Sequence, residues 1–395
     1  MGKAIASLET SCPTGRAHGW ADGVDLGKGY QRTPSTAAHF MAQPLISVLV
    51  DTYNHERFIE QAINSVLEQD VGPKEFEVIV VDDSSVDRTP DLVRRFEPRV
   101  RLIRKVNGGQ ASAFNAGIPE CRGEIVAFLD GDDWWAPGKL VAVADALASD
   151  PNVGLVGHGI TEVYSDGREH TELLRENPRF RITSEDGAKI FRMRKSFLGT
   201  SRMTYRAEVL RKIGFVPEAL TFQADEYLFT LAGLYADILI LRESLTFYRL
   251  HEQNAFQMAG ENADAIRRKQ RVLAALANSL REELRRRELP DAVARIMVDW
   301  IQTDADLLRL TIDGGFPWET VRAELQNYGV EHSHAGLAHW LFKCASLLPA
   351  CVLPPRTYYS LKRRLAASDL YRRARGKWLP YLAPQHVDRY RTMRP

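Results

Sequence analysis

The sequence predicts an α/β protein, with a mostly parallel, Rossmann-like sheet flanked by helices and a helical C-terminal extension. Two observations predict this class. Between residues 44 and 160, short apolar runs alternate with segments of helical periodicity, which is the pattern of βαβ units. The runs are almost continuously apolar, as expected for strands that are buried on both faces of a parallel sheet.

Five strands are predicted in the first half of the chain, at residues 45–50, 76–81, 100–103, 125–129 and 153–160. Helices are predicted between them at 58–67, 87–97, 110–120 and 140–147. In the first helix, Phe58, Ala62 and Val66 recur every four residues, so one face is apolar. Strand-like segments follow at 238–241 and 245–250. Residues 261–312 have a helical pattern that Pro290 divides.

Composition excludes several classes of protein. With 395 residues, 45% hydrophobic and 26% charged, the chain is neither disordered throughout, nor collagen-like, nor a coiled-coil rod. Its four cysteines are scattered without a CxxC pair, which excludes a disulfide-stapled fold and favours a reducing compartment. Residues 335–395 carry 12 Lys/Arg and 2 Asp, a net charge of +10, although the whole chain has a net charge of only +1.

These patterns predict four regions. Residues 1–43 are a leader rich in small residues, 44–255 are the α/β domain, 256–334 are a helical extension, and 335–395 are a basic amphipathic tail. No secretory signal and no run of about 18 apolar residues is visible, so a cytoplasmic protein is expected.

Polar residues follow four of the predicted strands, at 51–54, 82–85, 107–110 and 130–133. In an open parallel sheet, ligands bind outside the carboxyl ends of the strands, so these loops are expected to form the site. Asp130, Asp132 and Asp133 place three carboxylates within four residues. Such oxygen ligands select Mg²⁺ or Mn²⁺, and Mg²⁺ is usually shared with substrate phosphates.

In residues 46–54, 80–85, 107–117 and 128–133, the sequence resembles the family 2 glycosyltransferases with the GT-A fold. The resemblance implies a nucleotide-sugar-binding fold in which Tyr53 stacks on the base and Asp82 contacts the base edge. It also implies that Asp132 and Asp133 bind the ribose or sugar and the metal, without showing which carboxylate binds which. The full set of nucleotide-binding residues that it implies is Thr52, Tyr53, Asn54, Asp82, Asn107, Gly109, Gln110 and Asp132. Two residues depart from the family pattern: Asp51, where Pro is usual, and Phe114, where Arg is frequent.

The resemblance extends to two segments of the second half of the domain. Residues 223–228 (QADEYL) resemble the family's Glu-Asp motif, with Ala224 in place of Glu. We expect Asp225 to be the catalytic base that takes the proton of the acceptor hydroxyl, and Glu226 is the rival. Residues 248–254 (YRLHEQN) place His251 in the metal shell or against the diphosphate. Arg249 is either a diphosphate contact or a surface ion pair.

The expected function is therefore inverting, metal-dependent transfer of a sugar from a nucleotide-sugar to a glycan, lipid-linked or other hydroxyl acceptor, as in polysaccharide biosynthesis. A UDP-linked donor and Mn²⁺ or Mg²⁺ are the leading expectations. A nucleotidyltransferase and a non-catalytic nucleotide-sugar-binding relative remain alternatives, and the loss of Glu at Ala224 favours the latter.

The basic tail has two interpretations. It is either a solvated helix face or a surface for peripheral attachment to anionic lipid at the inner face of the plasma membrane. In the second case, the apolar area would come from Trp340, Leu341, Phe342, Leu347 and Leu348, and the charge from Lys362, Arg363, Arg364, Arg372, Arg373 and Arg375. No nucleic acid partner is expected, because no RNA-binding motif accompanies the charge.

Overall fold

The computed structural model describes residues 46–71, 76–171, 174–251, 263–332 and 336–367, which all belong to one compact unit. Four parallel strands form one half of the sheet in the order β3–β2–β1–β4. They are β1 (Ile46–Thr52), β2 (Phe76–Asp82), β3 (Val100–Arg104) and β4 (Ile125–Asp130). All four were predicted within two residues at each end. The predicted leader, residues 1–43, lies outside the described residues.

Both faces of this half-sheet are buried, which explains the continuous apolar runs. Leu49 of β1 packs into one apolar cluster, whereas Val48 and Val50 pack into another on the opposite face. Helices cover both clusters. They are α1 (Ile59–Leu67), α2 (Thr89–Arg94), α3 (Gln110–Gly117) and α4 (Lys139–Ser149). In α1 the buried Ile59, Ala62 and Ile63 share one face, as the periodicity predicted.

The second half of the sheet introduces antiparallel pairing. Strand β9 (Thr204–Arg206) lies antiparallel to both β4 and β6 (Val153–Tyr164). Strand β10 (Asp237–Leu250) runs parallel to β6. The two strand-like segments predicted at 238–241 and 245–250 are thus one strand, whose register is irregular between Leu241 and Thr246. Short strands complete the sheet: β5 (Trp134–Trp135), β7 (Glu169–Thr171) and β8 (Arg179–Phe180).

Three helices pack beside this second half: α5 (Glu185–Arg194), α6 (Ala207–Ile213) and α7 (Ala224–Tyr235). Between α5 and β9 the chain makes two short 3₁₀ turns, Lys195–Phe197 and Thr200–Arg202. Helix α7 begins after Gln223, whose φ of 60° is left-handed. The second 3₁₀ turn and the first turn of α7 carry residues that bear on function.

The C-terminal extension is helical, as predicted. It contains α8 (Ala263–Arg286), α9 (Asp291–Asp313), α10 (Trp318–Glu331), α11 (Leu337–Val352) and α12 (Pro355–Ala367). Pro290 directly precedes α9, where its fixed φ suits a helix start. Leu276 and Leu280 of α8 join the same apolar cluster as Phe229 of α7, so the extension and the sheet share a core. The boundaries proposed at 255 and 334 stay predictions.

Among the helices of the described chain, none has both the length and the apolar character needed to cross a membrane.

Candidate active site

The predicted polar loops meet at one edge of the sheet. The register of β1 pairs Thr52 with Asp82 of β2 and Asp51 with Asp130 of β4. Backbone hydrogen bonds then join the loops that follow: Gly131 N donates to the Asp51 carbonyl at 2.9 Å, and Asp83 N donates to the Thr52 carbonyl at 2.9 Å. Residues that are far apart in the sequence are thereby placed around one cleft.

Three carboxylates of the loop after β4 converge in this cleft. One oxygen each from Asp130, Asp132 and Asp133 lies within 4.8 Å of the others. The Nε2 atom of His251 lies 2.9 Å from Oδ2 of Asp132, and Nε2 of His55 lies 3.8 Å from the same oxygen. Burial raises the pKa of Asp132, but the neighbouring His55 and His251 outweigh it and hold this pKa below its usual range.

The rest of the cluster carries more negative charge than the protein neutralises. Burial and the charge of Asp51 raise the pKa of Asp130, and burial and the charge of Asp132 raise that of Asp133. Burial and Asp132 likewise raise the pKa of Asp51 to about 8, although Asp51 hydrogen-bonds to Asp130. Within the described residues, Oδ1 of Asp51 is buried without a hydrogen-bond partner. Excess charge, close carboxylates and an orphaned oxygen fit a hard divalent cation with oxygen ligands.

Asp133 is anchored on both oxygens. Ser201 Oγ donates to its Oδ2 at 2.7 Å, and the backbone N–H of Arg249 donates to its Oδ1 at 2.9 Å. Asp133 is buried, whereas Asp132 is partly open to the cleft. Of the two carboxylates that the sequence could not tell apart, Asp132 is thus the one better placed to reach a ligand.

Ser201 is the point where the acidic cluster is fixed to the fold. Its hydroxyl also lies 3.3 Å from Oδ2 of Asp130 and accepts from Asp130 N at 3.0 Å. Its carbonyl accepts three hydrogen bonds, from Lys139 Nζ at 3.0 Å, Trp135 Nε1 at 3.2 Å and Thr246 Oγ1 at 2.8 Å. Because α4, β5 and β10 each supply one of these donors, three elements fix the Ser201 backbone, and the backbone positions the hydroxyl.

Asp225 lies in the first turn of α7 and is partly exposed. Thr200 N donates to its Oδ2 at 3.2 Å, and Glu226 N donates to its Oδ1 at 2.8 Å. Burial, and then the charge of Glu226, raise its pKa to about 6. The charge of Asp225 in turn raises the pKa values of Asp51 and Asp130, so it lies near the acidic cluster.

Glu226, the rival base, is already engaged. It is buried, and Lys195 Nζ lies 3.0 Å from its Oε1, while Gln223 Nε2 donates to its Oε2 at 3.2 Å. The Lys195 ammonium also lies 3.1 Å from the centre of the Trp300 ring in α9. Glu226 therefore ties α7 to the helical extension, and Asp225 is the more exposed of the two carboxyls.

Gln110 holds the two sides of the cleft together. Its Nε2 donates to Thr200 Oγ1 at 2.9 Å, and its Oε1 accepts from Ala224 N at 2.9 Å. It therefore satisfies an N-terminal amide of α7 and positions the residue that binds Asp225. Gly109 precedes it with a φ of 82°, and an added Cβ there would lie 2.6 Å from Thr221 Cα. Only glycine fits so close to that backbone.

The first two loops are cross-linked beside Tyr53, which is 45% exposed and presents its ring to solvent. Asn54 adopts a left-handed φ of 58°. Its N–H donates to Ser85 Oγ at 2.8 Å and its Oδ1 accepts from Val86 N at 2.9 Å. Thr52 is buried, and its Oγ1 lies 3.2 Å from His55 Nδ1. Asn54 thus joins the loops that follow β1 and β2 beside Tyr53.

Asp82 and Asp83, at the end of β2, accept hydrogen bonds that fix the backbone of the neighbouring loops. Asp82 is fully buried and accepts from Ser85 N at 3.1 Å and from Arg104 Nε at 3.0 Å. Asp83 accepts from Gly109 N at 2.7 Å, and its carbonyl accepts from Asn107 Nδ2 at 2.9 Å. Asp82 thereby ties the second loop to β3. Contacts of Asp82, Asn107 and Gly109 with a nucleotide stay predictions.

Arg249 is half-buried and contacts the loop that carries Asp132. Its Nε donates to the Asp132 carbonyl at 2.9 Å, and a second guanidinium nitrogen donates to Gln61 Oε1 at 2.6 Å. The guanidinium also lies 4.4 Å from the Trp134 ring centre and 4.7 Å from that of Phe58. Burial lowers the pKa of Arg249. It therefore fixes the loop that carries Asp132.

Sequence reasoning did not name His55 or Lys139, and it gave no individual role to Asp83 or Ser201. One signal was available for Lys139, which stands four residues before Val143 and eight before Leu147, on the face predicted to be apolar. Lysine on such a face needs an internal partner. The roles of the other three depend on contacts between segments that are distant in the sequence.

The fold and the acidic cluster define a GT-A-type protein, and comparison with known proteins agrees. Residues 47–214 match the family described as Glycosyl transferase family 2. An uncharacterized glycosyltransferase, alr2836, of Nostoc sp. is 33% identical over 219 residues, covering 53% of this chain and 66% of the relative. Another, EpsJ of Bacillus subtilis, is 35% identical over 130 residues, covering 32% of this chain and 37% of the relative.

Among solved structures, residues 1–349 of TarS of S. aureus in complex with UDP-GlcNAc superpose with a TM-score of 0.51 and 21% identity, covering 73% of this chain and 82% of that one. That likeness supports the fold. Residues 47–214 of the chain therefore match family 2 of the glycosyltransferases. It spans between 37% and 66% of the length of the two curated relatives named above.

Proposed function

We propose that this chain transfers a sugar from a nucleotide-sugar, UDP-linked in the first instance, to an acceptor hydroxyl with inversion at the anomeric carbon. One observation carries the proposal: a partly exposed carboxyl whose pKa is raised to about 6, that of Asp225, lies near a separate cluster of three carboxylates. A metal-dependent inverting transfer would use both. Asp225 would take a proton from the acceptor, and the carboxylate cluster would hold a cation that binds the departing diphosphate on the opposite face of the sugar.

The donor side of the proposal is supported by the loops after β1 and β2. The exposed Tyr53 ring offers a stacking surface for a base, and the loop beside it is fixed by Asn54 and Ser85. TarS, which shares the fold, was crystallised with UDP-GlcNAc, and this favours UDP as the nucleotide. The identity of the sugar does not follow from either observation.

Asp130, Asp132, Asp133 and His251 would hold a divalent cation, Mn²⁺ or Mg²⁺. When bound, that cation would neutralise charge that grows on the diphosphate as the sugar leaves. Asp133 would orient the site, because Ser201 and Arg249 occupy one lone pair on each of its oxygens. Asp132 is more exposed and is the better placed to share a ligand with the donor.

Asp225 would accept the proton of the acceptor hydroxyl. With a pKa of about 6 it is mostly ionised at pH 7 and is a stronger base than an ordinary aspartate. Thr200 N and Glu226 N each hold one of its oxygens, so its orientation is set before the acceptor arrives. Ala224 stands where the family pattern has Glu, but Gln110 holds its backbone N–H and the helix still begins at this residue. The carboxyl needed for proton transfer is therefore retained.

The test is release of UDP from a panel of UDP-sugars, with and without glycan and lipid-linked acceptors, in Mn²⁺ or in EDTA. Asp225→Asn should lower the rate of transfer by roughly 10²–10⁴ while retaining donor binding, and Asp132→Ala should weaken donor binding. Asp91→Asn is the matched control, since Asp91 is an exposed carboxylate paired with Arg94 on α2. Full transfer activity in both site variants would refute the assignment. Release of pyrophosphate from a nucleoside triphosphate would point instead to a nucleotidyltransferase.

A further inference from the structure

We propose that helix α11 docks on an anionic lipid surface through an exposed apolar ridge formed by Leu337, Leu341, Leu348 and Val352. These side chains are 74%, 61%, 64% and 85% exposed. Their spacing of four, seven and four residues confines them to an arc of about 60° on the helix. Four large apolar side chains therefore point the same way into solvent, which a soluble monomer rarely tolerates.

The orientation of this ridge is fixed by the opposite side of the helix. Leu347 and Ala350 of α11 are buried in an apolar cluster with Leu310 of α9 and Tyr358 of α12. Helix α11 is thus anchored on the extension by one face while its other face stays exposed.

The positive charge around the ridge favours an anionic lipid surface as its partner. Residues 337–367 contain five Lys/Arg and no Asp/Glu. Glu324 of α10 pairs with Lys343 and Lys362 and offsets one of these charges. From residue 335 to the end of the chain the net charge is +10. An apolar ridge within a basic segment is the pattern of helices that lie in the interface of an anionic membrane.

A second copy of the chain fits this surface less well. Pairing two ridges about a two-fold axis would bring the same basic segments against each other, with no acidic residue of 337–367 to match them. Anionic headgroups complement the charge, and the acyl region takes the apolar side chains. The inference goes beyond the proposed function, since it concerns where the enzyme acts and not the reaction.

The experiment is flotation of the full chain with vesicles of phosphatidylcholine alone or of 70% phosphatidylcholine and 30% phosphatidylglycerol. Partitioning onto the anionic vesicles should be roughly tenfold higher and should fall in 0.5 M salt. The double variant Leu341→Gln, Leu348→Gln should lose roughly tenfold of that binding. A matched control, Val141→Gln with Phe215→Gln, alters exposed apolar residues outside the extension and should bind as the wild type does.

Three results would overturn the proposal. The first is equal binding, or no binding, to both kinds of vesicle. The second is wild-type binding by the Leu341→Gln, Leu348→Gln variant. The third is a dimer in sedimentation equilibrium that this variant dissociates while vesicle binding is absent, because the ridge would then be a self-association surface. Circular dichroism of both double variants checks that the helices remain folded.

Discussion

Replacing Ser201 by Ala should weaken cation binding without unfolding the protein. The hydroxyl that is lost donates to Asp133 Oδ2 at 2.7 Å and lies 3.3 Å from Asp130 Oδ2. The Ser201 carbonyl keeps its three donors, so the backbone should stay in place. A hydrogen bond to a charged group contributes about 1.5–3 kcal/mol. Loss of a residue that orients a ligand costs roughly 10–100-fold in metal affinity.

The assay is Mn²⁺ titration of the full chain by calorimetry, with wild type, Ser201→Ala and Ser149→Ala side by side. Ser149 is a suitable control because its hydroxyl donates only locally, to the Ala146 carbonyl at 2.8 Å on α4. We expect Ser201→Ala to bind Mn²⁺ at least tenfold more weakly and Ser149→Ala to match the wild type. Wild-type affinity in Ser201→Ala would refute the positioning role. An equal loss of Mn²⁺ affinity in Ser201→Ala and Ser149→Ala would also refute the positioning role.

Three further predictions concern the base, the nucleotide and the loop. Asp225→Asn should lower kcat by roughly 10²–10⁴, and it should raise stability by about 3 kcal/mol at pH 8, which is the free-energy equivalent of a pKa raised from 3.8 to about 6. Its carboxyl has a folded pKa raised to about 6 from 3.8, so the charged form costs stability above pH 6 and the gain should vanish near pH 4 in urea unfolding. A gain that is independent of pH would contradict this. Tyr53→Ala should weaken UDP binding by about 1–3 kcal/mol in calorimetry, with Tyr53→Phe near wild type; equal losses would exclude stacking. Gly109→Ala should destabilise the protein more than Gly167→Ala does. Both glycines have a φ of 82°, but of the two only Gly109 has backbone within 4 Å of an added Cβ. Equal losses of unfolding free energy in urea would refute the close-contact argument.

The first half of the fold was predictable because its signals are local. Strands β1, β2 and β4 are short apolar runs buried on both faces, and α1 carries a regular apolar stripe. The carboxyl ends of these strands, and hence the loops with Asp51, Asp82 and Asp130, follow from the parallel order. The antiparallel insertion of β9 between β4 and β6 was not readable, since three residues give no periodicity.

The proposal of Asp225 over Glu226 as the base draws on a contact that the sequence does not show. Both stand in the first turn of a helix, and sequence distinguishes only their directions around it. Lys195 lies 31 positions before Glu226 and forms an ion pair with it at 3.0 Å, which favours Asp225 as the proposed base. The same applies to Gln110. Its motif suggested a ligand contact, but its amide bridges Thr200 and Ala224, more than 85 residues away.

Ser201 and Lys139, which support the acidic cluster, were the least predictable residues of the site. No sequence signal assigned a role to Ser201 itself, and its role arises only when α4, β5 and β10 surround it. Lys139 is fully buried, and burial lowers its pKa well below the usual range. Its position on an apolar helix face was visible in the sequence, but its partner, the Ser201 carbonyl, was not.

Calorimetric binding of UDP to the full chain, in Mn²⁺ and in EDTA, tests most directly whether the carboxylates at the end of β4 bind a nucleoside diphosphate through a cation. We predict that UDP binds in the presence of Mn²⁺ and that its affinity is at least roughly tenfold lower in EDTA. In Mn²⁺, Asp132→Ala should lose a similar amount of UDP affinity, and Asp91→Asn should lose none. UDP affinity that is unchanged by EDTA and by Asp132→Ala would contradict the account.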